Sequence, residues 1–220
     1  MTQLTARVEE RVLRRLMRLP RPVVRRLAGR PVVLDGQVLD PETQWLLRLQ
    51  RLTRDPGLSG SSIPDIRRAA RRQTRLAGGR QPIGAVRDLE VPGAEGPLRA
   101  RLYTPRSRVG ATGRSPLLFF VHGGGMVFGD LDTHDATCRL LAERADTLVL
   151  AVDYRLAPEH PFPAAVDDCW AAFQWVSEHA GSLGADPERV AVGGDSAGGT
   201  LSAATAVKAA EAGVPLRFQL

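Results

Sequence analysis

Apolar residues recur at helical spacing from the start of the chain. Over residues 3–19, one face of a predicted helix carries Leu4, Val8, Val12, Leu16 and Leu19. Arginines occupy most of the remaining surface, and Pro20 and Pro22 are predicted to end this helix. A basic amphipathic helix can make peripheral contact with a membrane, or it can cover an apolar cleft.

Two more helices are predicted before residue 80. One runs from Pro41 to about Leu52, with Asp40 at the N-cap and the proline at the first helical position. The other begins at Ser62 and ends at Gly78-Gly79. Residues 1–80 are therefore expected to form a helical cap or N-terminal extension, followed by a second domain over residues 81–220.

From residue 83 the pattern changes to short strands. Val86–Val91 and Leu98–Tyr103 are strand-like and are separated by the turn residues Pro92-Gly93 and Glu95-Gly96. The two strands are expected to form an antiparallel pair at the edge of a sheet.

Apolar strands then alternate with helical segments. The predicted strands are Leu117–Val121, Thr147–Val152 and Val190–Val192, with Leu216–Leu220 as the start of another. The predicted helices cover residues 133–145, 164–179 and 197–212. Strands that are apolar almost throughout are typical of a parallel sheet covered on both faces. The sequence therefore predicts an α/β fold with a mostly parallel twisted sheet, in which strands 117–121 and 190–194 are central and adjacent.

Charge is unevenly distributed along the chain. The net charge is +6, but residues 1–108 carry 23 arginines against 10 acidic residues, whereas residues 109–220 are net acidic. Lys208 is the only lysine, so arginine fills basic positions throughout, which indicates a coding bias. Aromatic residues that would stack on bases are not interleaved with the arginines. We therefore expect no nucleic-acid partner.

Cysteine spacing and hydropathy indicate the state of the thiols and the cellular location of the protein. Cys138 and Cys169 have neither zinc-ligand spacing nor a disulfide framework, so two buried, reduced thiols are expected. No apolar run of about 18 residues is present, and the N-terminus lacks the apolar core of a secretory signal. A cytoplasmic location without stable membrane insertion is expected.

The segment Gly194-Asp195-Ser196-Ala197-Gly198-Gly199 lies between a predicted strand and an Ala-rich predicted helix. That is the strand–turn–helix context of the G-x-S-x-G nucleophile elbow. The serine hydroxyl of such an elbow projects at a helix N-terminus, whose dipole favours a developing negative charge. Ser196 is therefore the candidate nucleophile, and an ordinary glycine-rich turn is the alternative.

A second glycine motif, His122-Gly123-Gly124-Gly125, directly follows strand 117–121. A tetrahedral intermediate needs N–H donors directed at its oxyanion, and glycines let backbone amides approach without a Cβ in the way. The amides of this loop and of Ala197 are candidate donors. A glycine-rich loop without a chemical role is again the alternative.

Together with Asp153-Tyr154-Arg155-Leu156-Ala157-Pro158-Glu159, these motifs carry a family resemblance. Over about residues 35–220 the chain resembles the hormone-sensitive-lipase-like (family IV) bacterial carboxylesterases and lipases of the α/β-hydrolase fold. The resemblance implies a helical cap over the site. It also implies hydrolysis of short- to medium-chain acyl esters, small-molecule substrates, through an acyl-enzyme without metal or cofactor.

The resemblance also implies site residues. Ser196 would be the nucleophile, and the oxyanion would be bound by the amides of Gly124, Gly125 and Ala197. The supporting motif residues would be His122, Gly123, Asp195 and Glu159. Among them, His122 would fix its loop and would not act as the general base.

The remaining triad members are not assigned in this chain. In this fold the triad runs serine, acid, histidine along the sequence, yet after Ser196 there is no histidine and no aspartate, only Glu211. His160 lies in a proline-rich stretch, and His134 and His179 lie in helices with surface-like patterns, so all three are expected to be structural or solvated. The acid and the base are expected on strands outside these residues, and this chain is expected to be inactive alone.

Three interpretations remain open. The chain is a truncated part of an ordinary carboxylesterase, or a non-catalytic relative that keeps the acyl pocket as a binding or interaction module. The third is a split enzyme whose base comes from a second polypeptide. An aspartate and a histidine in the reading frame just beyond Leu220 would favour the first.

Overall fold

The structure, a computed structural model, describes residues 19–52, 62–79 and 81–220, together with Val12, Arg15 and Leu16. The chain divides into two compact units, residues 1–77 and 78–220. Most of the helix predicted over residues 3–19 lies outside the described residues. In the described part of the chain, no helix is both long and apolar enough to cross a membrane.

The described residues of the N-terminal unit form helices and one short hairpin. Its elements are α1 Arg21–Ala28, β1 Val33–Leu34, β2 Gln37–Val38, α2 Pro41–Leu52 and α3 Ile63–Gly78. The small core between α1 and α2 consists of Val24, Ala28, Trp45 and Leu49. Asp40 caps α2 as predicted, because its Oδ1 accepts the N–H groups of Glu42 at 2.8 Å and Thr43 at 3.2 Å.

Helix α1 was missed by the sequence pattern. The chain is non-helical at Leu19 and Pro20, as the predicted stop requires, but a new helix begins at Arg21. Pro22 lies in its first turn, where a missing N–H is harmless because that group has no partner within the helix. The same prolines therefore end one predicted segment and open the next helix.

The C-terminal unit contains a six-stranded mixed sheet. Its strands are β3 Ala85–Gly93, β4 Gly96–Thr104, β5 Ser115–Val121, β6 Leu148–Val152, β7 Ala185–Gly194 and β8 Phe218–Gln219. Their spatial order is β3-β4-β6-β5-β7-β8. The β3–β4 hairpin is antiparallel and lies at one edge, and β4 pairs antiparallel with β6. The pairs β6–β5, β5–β7 and β7–β8 are parallel, which confirms the predicted mostly parallel sheet.

Strands β5 and β7 are adjacent, as predicted; β5 is one of the two central strands, whereas β7 lies between β5 and the edge strand β8. In their register Leu117 lies opposite Val190, and Val121 lies opposite Gly194. Strand β7 begins at Ala185, five residues before the predicted start, because the polar segment 186–189 hides the strand in the sequence pattern. The register places the carboxyl ends of β5 and β7 side by side, where both glycine motifs begin.

Helices cover both faces of the sheet. They are α4 Asp135–Ala145, α5 Ala164–His179 and α6 Ala197–Ala212. One buried cluster joins Phe119 of β5 to α5 and α6, with the Phe119 and Phe173 rings edge-on at 5.8 Å. The other joins the alternate residues Leu118 and Phe120 to α4. Cys138 and Cys169 are buried and unpaired, one in each cluster, as predicted.

A buried ion pair fixes the segment that follows β6. Asp168 of α5 is fully buried, and its carboxylate accepts bonds from Arg155 Nε at 2.8 Å and Arg155 Nη2 at 3.0 Å. It also accepts the backbone N–H groups of Ala94 and Arg155, each at 3.0 Å. The charge of Asp168 is thus compensated by hydrogen bonds on both oxygens.

We predict that Asp168→Ala destabilises the protein, because the Arg155 guanidinium keeps only the more exposed Glu95 as an ionic partner and the Ala94 amide loses its acceptor. The free energy of unfolding in urea should fall by about 3–5 kcal/mol. The control is Asp167→Ala, since Asp167 is a partly exposed neighbour in α5, 3.9 Å from Lys208. Asp167→Ala should alter the free energy of unfolding by no more than about 0.5 kcal/mol. Equal losses of unfolding free energy for both variants would contradict the prediction.

Candidate active site

Ser196 lies in the turn between β7 and α6 and is exposed to solvent. Its backbone has φ 52° and ψ −119°, a conformation that non-glycine residues rarely adopt. The turn is closed by bonds from the Gly198 amide to the Asp195 carbonyl at 2.8 Å and from the Gly199 amide to the Ser196 carbonyl at 3.0 Å. Strain of this kind, maintained by the surrounding structure, is characteristic of functional sites.

The close approach of two backbones explains the glycine at 198. A Cβ on Gly198 would overlap the carbonyl oxygen of Val121 and would lie 2.8 Å from the carbonyl atoms of His122. The start of α6 therefore packs directly on the end of β5. Any side chain at position 198 would separate the elbow from the His122 loop.

The His122–Gly125 loop presents backbone amides next to the elbow. The Gly123 N–H donates to Asp195 Oδ1 at 3.0 Å, so this amide is already occupied. The Gly124 carbonyl accepts the N–H groups of Val127 and Phe128, each at 3.0 Å. Within the described residues, no protein acceptor binds the amides of Gly124, Gly125 and Ala197. These are the three amides that the resemblance implied as donors.

His122 is buried beneath this loop. Its Nδ1 lies 2.8 Å from the Gly123 carbonyl oxygen, which it meets as a donor, and its ring stacks on Tyr154 with centroids 4.3 Å apart. Burial lowers the pKa of His122 to about 4, so the ring is neutral at physiological pH. A neutral ring that donates to the backbone of its own motif agrees with a loop-fixing role.

His134 does not lie on a surface helix face, contrary to the sequence interpretation. It immediately precedes α4 and is largely buried, with Nε2 3.2 Å from Asp195 Oδ1 and its ring 5.4 Å from that of His122. The sequence missed this contact because it joins segments sixty residues apart. His179 and His160 are exposed, as expected.

The Asp153–Glu159 segment holds the His122 loop through two hydrogen bonds. The Tyr154 hydroxyl donates to the His122 carbonyl at 2.8 Å, and the Ala157 N–H donates to the Met126 carbonyl at 2.8 Å. Glu159 is exposed. The structure thus brings Asp195, Gly123 and His122 together, whereas Glu159 lies at the exposed end of its segment.

Known proteins share the fold of this chain and a substantial part of its sequence. Residues 118–220 match a family model described as the α/β-hydrolase fold. The carboxylic ester hydrolase LipN of Mycobacterium tuberculosis is 52% identical over 84% of this chain and 49% of its own length. The arylesterase of Saccharolobus solfataricus is 34% identical over 83% of this chain and 58% of its own length. A hyperthermophilic esterase from the archaeon Pyrobaculum calidifontis superposes with a TM-score of 0.71, at 40% identity over 79% of this chain and 55% of that structure.

These similarities define the class as an α/β hydrolase with a mixed, mostly parallel sheet. Within that class, the chain is similar to these esterases, and its motifs resemble those of the hormone-sensitive-lipase-like family. The chain spans about half the length of the curated relatives it matches.

We predict that alanine is tolerated very differently at two neighbouring glycines. A Cβ on Gly124 would overlap the Phe128 carbonyl oxygen, and the φ of Gly124 is +117°. A Cβ on Gly125 meets open space, and its φ of +62° is left-handed. Gly125→Ala should cost about 1–2 kcal/mol of unfolding free energy, and Gly124→Ala clearly more. If urea unfolding gave equal losses of unfolding free energy for Gly124→Ala and Gly125→Ala, the predicted clash at Gly124 would be wrong.

We also predict a pH dependence caused by His122. The pKa of His122 is about 4 in the folded protein and about 6.5 in an unfolded chain. Between these values the unfolded state binds a proton that the folded state does not. The free energy of unfolding should therefore fall as the pH falls, by up to about 1.4 kcal/mol per pH unit, and level off below the folded pKa.

The comparison for that prediction is His122→Gln, which removes the titrating group. Urea unfolding between pH 4 and pH 8 should show a shallower slope for this variant than for the unmodified protein. His160→Gln, at an exposed position, should keep the slope. An unchanged slope in His122→Gln would show that other groups cause the dependence.

Proposed function

We propose that the protein is a carboxylic ester hydrolase that uses Ser196 as its nucleophile. The observation that carries the proposal is the junction of a strained serine turn with a glycine loop on the neighbouring strand. The two are joined by the Gly123–Asp195 hydrogen bond. We expect the donors and the nucleophile to flank one point, which is the geometry that acyl transfer requires.

In the proposed reaction, Ser196 Oγ attacks the acyl carbonyl of the ester, and the serine proton passes to a general base. The carbonyl oxygen becomes an oxyanion, which the amides of Gly124, Gly125 and Ala197 stabilise. The C–O bond to the alcohol breaks as the base returns the proton to the leaving oxygen. Water then attacks the acyl-enzyme by the same sequence of steps and releases the acid.

We propose that the general base and the acid that orients it lie outside these 220 residues. His122 is buried and already donates to Gly123, and His134 is engaged by Asp195. His179 lies at the far end of α5, where its Nδ1 donates to the Trp175 carbonyl at 2.9 Å. An unactivated serine is a weak nucleophile at neutral pH, so the chain alone should be nearly inactive.

The proposed substrates are small esters with short to medium acyl chains. The relatives are named for carboxylic ester and aryl ester hydrolysis, and the proposed steps need neither a metal nor a cofactor. Residues 1–80 are proposed as the cap, from the family resemblance. We propose no nucleic-acid partner.

We predict that Ser196→Ala abolishes hydrolysis of p-nitrophenyl butyrate. The protein is expressed with any residues that its reading frame supplies after Leu220, and kcat should fall by roughly 10⁴-fold or more in the variant. The control Ser182→Ala removes an exposed hydroxyl that donates to the His179 carbonyl, and should leave kcat unchanged. The 220-residue chain should stay near background with or without Ser196.

Other outcomes identify the alternatives. Robust turnover by the 220-residue chain that disappears in Ser196→Ala would show that a histidine of this chain acts as the base, with His160 and His134 as the first candidates. Saturable ester binding without turnover in the extended protein would favour a non-catalytic acyl-binding module. Turnover that survives Ser196→Ala would refute the nucleophile.

A further inference from the structure

The peptide group between His122 and Gly123 is held at both ends. The Tyr154 hydroxyl donates to its carbonyl oxygen at 2.8 Å, and its N–H donates to Asp195 Oδ1 at 3.0 Å. A peptide group is planar, so fixing both polar atoms fixes its orientation. The start of the oxyanion loop therefore has one orientation set by two side chains.

The next peptide group carries one of the proposed oxyanion donors. Its carbonyl belongs to Gly123 and accepts His122 Nδ1–H at 2.8 Å, and its N–H belongs to Gly124. In a trans peptide the N–H points opposite to the carbonyl. The bond from His122 therefore turns the Gly124 N–H away from the buried ring.

Asp195 joins this loop to the nucleophile. It directly precedes Ser196 in the chain, and the oxygen that binds Gly123 also lies 3.2 Å from His134 Nε2. The His134 bond lowers the pKa of Asp195, so the carboxylate stays ionised. His134 is held in turn by Thr133 Oγ1, 2.9 Å from its Nδ1, and its ring stacks on His122.

We propose that Asp195 and His134 are positioning residues that hold the oxyanion-binding amides at a fixed distance from Ser196. This inference rests on the proposed function. It assigns roles to the residue before the nucleophile and to a histidine outside the recognised motifs. His134 acts through Asp195, because its Nε2 contacts that carboxylate.

A merely structural role makes a different prediction for the same residues. The Asp195 side chain is 52% exposed, and exposed ion pairs contribute little to stability. A positioning role predicts a loss in kcat that exceeds any loss in stability. Contacts to an oxyanion strengthen in the transition state, so KM should change little.

The test measures kcat and KM for p-nitrophenyl butyrate in the extended protein. Asp195→Ala should lower kcat by roughly 10²-fold, the effect of a small displacement of catalytic groups. Asp195→Asn keeps an oxygen for the Gly123 N–H and should recover most of kcat. His134→Phe keeps a ring for stacking but loses the donor, and should lower kcat by less than Asp195→Ala.

The double variant tests whether His134 acts through Asp195. If it does, Asp195→Ala combined with His134→Phe loses no more kcat than Asp195→Ala alone. Losses that multiply would overturn this coupling. The controls are Asp186→Ala, which breaks an exposed pair with Arg189, and His179→Gln, and both should leave kcat unchanged.

A second measurement separates this inference from the proposed function. Amide hydrogen exchange at Gly123, measured in the 220-residue chain, should accelerate by about 10-fold or more in Asp195→Ala, because the amide loses a charged acceptor. If exchange accelerates while the extended protein shows no Ser196-dependent turnover, the proposed esterase function is refuted, whereas the role of Asp195 in fixing the His122–Gly125 loop stands. Unchanged exchange, or a loss of kcat that only follows a loss of stability, would overturn the positioning role of Asp195 and His134.

Discussion

The hydrogen bond from the Gly123 amide to the Asp195 carboxylate is the constraint on which the site depends. It forms because β5 and β7 are adjacent and parallel, so their carboxyl ends open at the same edge of the sheet. A parallel register brings two loops of unrelated sequence to one place, and a single carboxylate then ties them together. Gly198 completes the junction by letting the start of α6 touch the backbone of Val121.

The strain at Ser196 persists because the surrounding structure is rigid. The residue adopts a backbone conformation that costs of order 1–3 kcal/mol, which the packed sheet has to offset. Phe119 and Phe173 lie fully buried between β5 and α5, and the Arg155–Asp168 pair anchors the segment that carries Tyr154. The packed core and the buried charge pair therefore hold in place the segments that surround the Ser196 turn.

Much of the fold could be predicted from the sequence, because its strands are apolar on both faces. Helices 164–179 and 197–212 have the predicted bounds, and the order of β5 and β7 follows from motifs that need adjacent strands. The hairpin at residues 33–38 and the polar half of β7 were missed, since neither has a period that distinguishes it from a loop. The contact of His134 with Asp195 depends on the tertiary structure, so no local sequence pattern predicts it.

The negative charge of Asp195 lies close to the proposed oxyanion site, and two hydrogen-bond donors reduce its effect there. A carboxylate beside the point where an oxyanion develops would raise the energy of that oxyanion, because like charges repel more strongly where water is scarce. The Gly123 N–H and His134 Nε2 both lie within hydrogen-bonding distance of the same carboxylate oxygen and offset its charge. His134 therefore does more than hold Asp195 in place. It allows an acidic residue to lie next to the proposed nucleophile, where one carboxylate oxygen is bound by two donors, with less electrostatic cost to the proposed reaction.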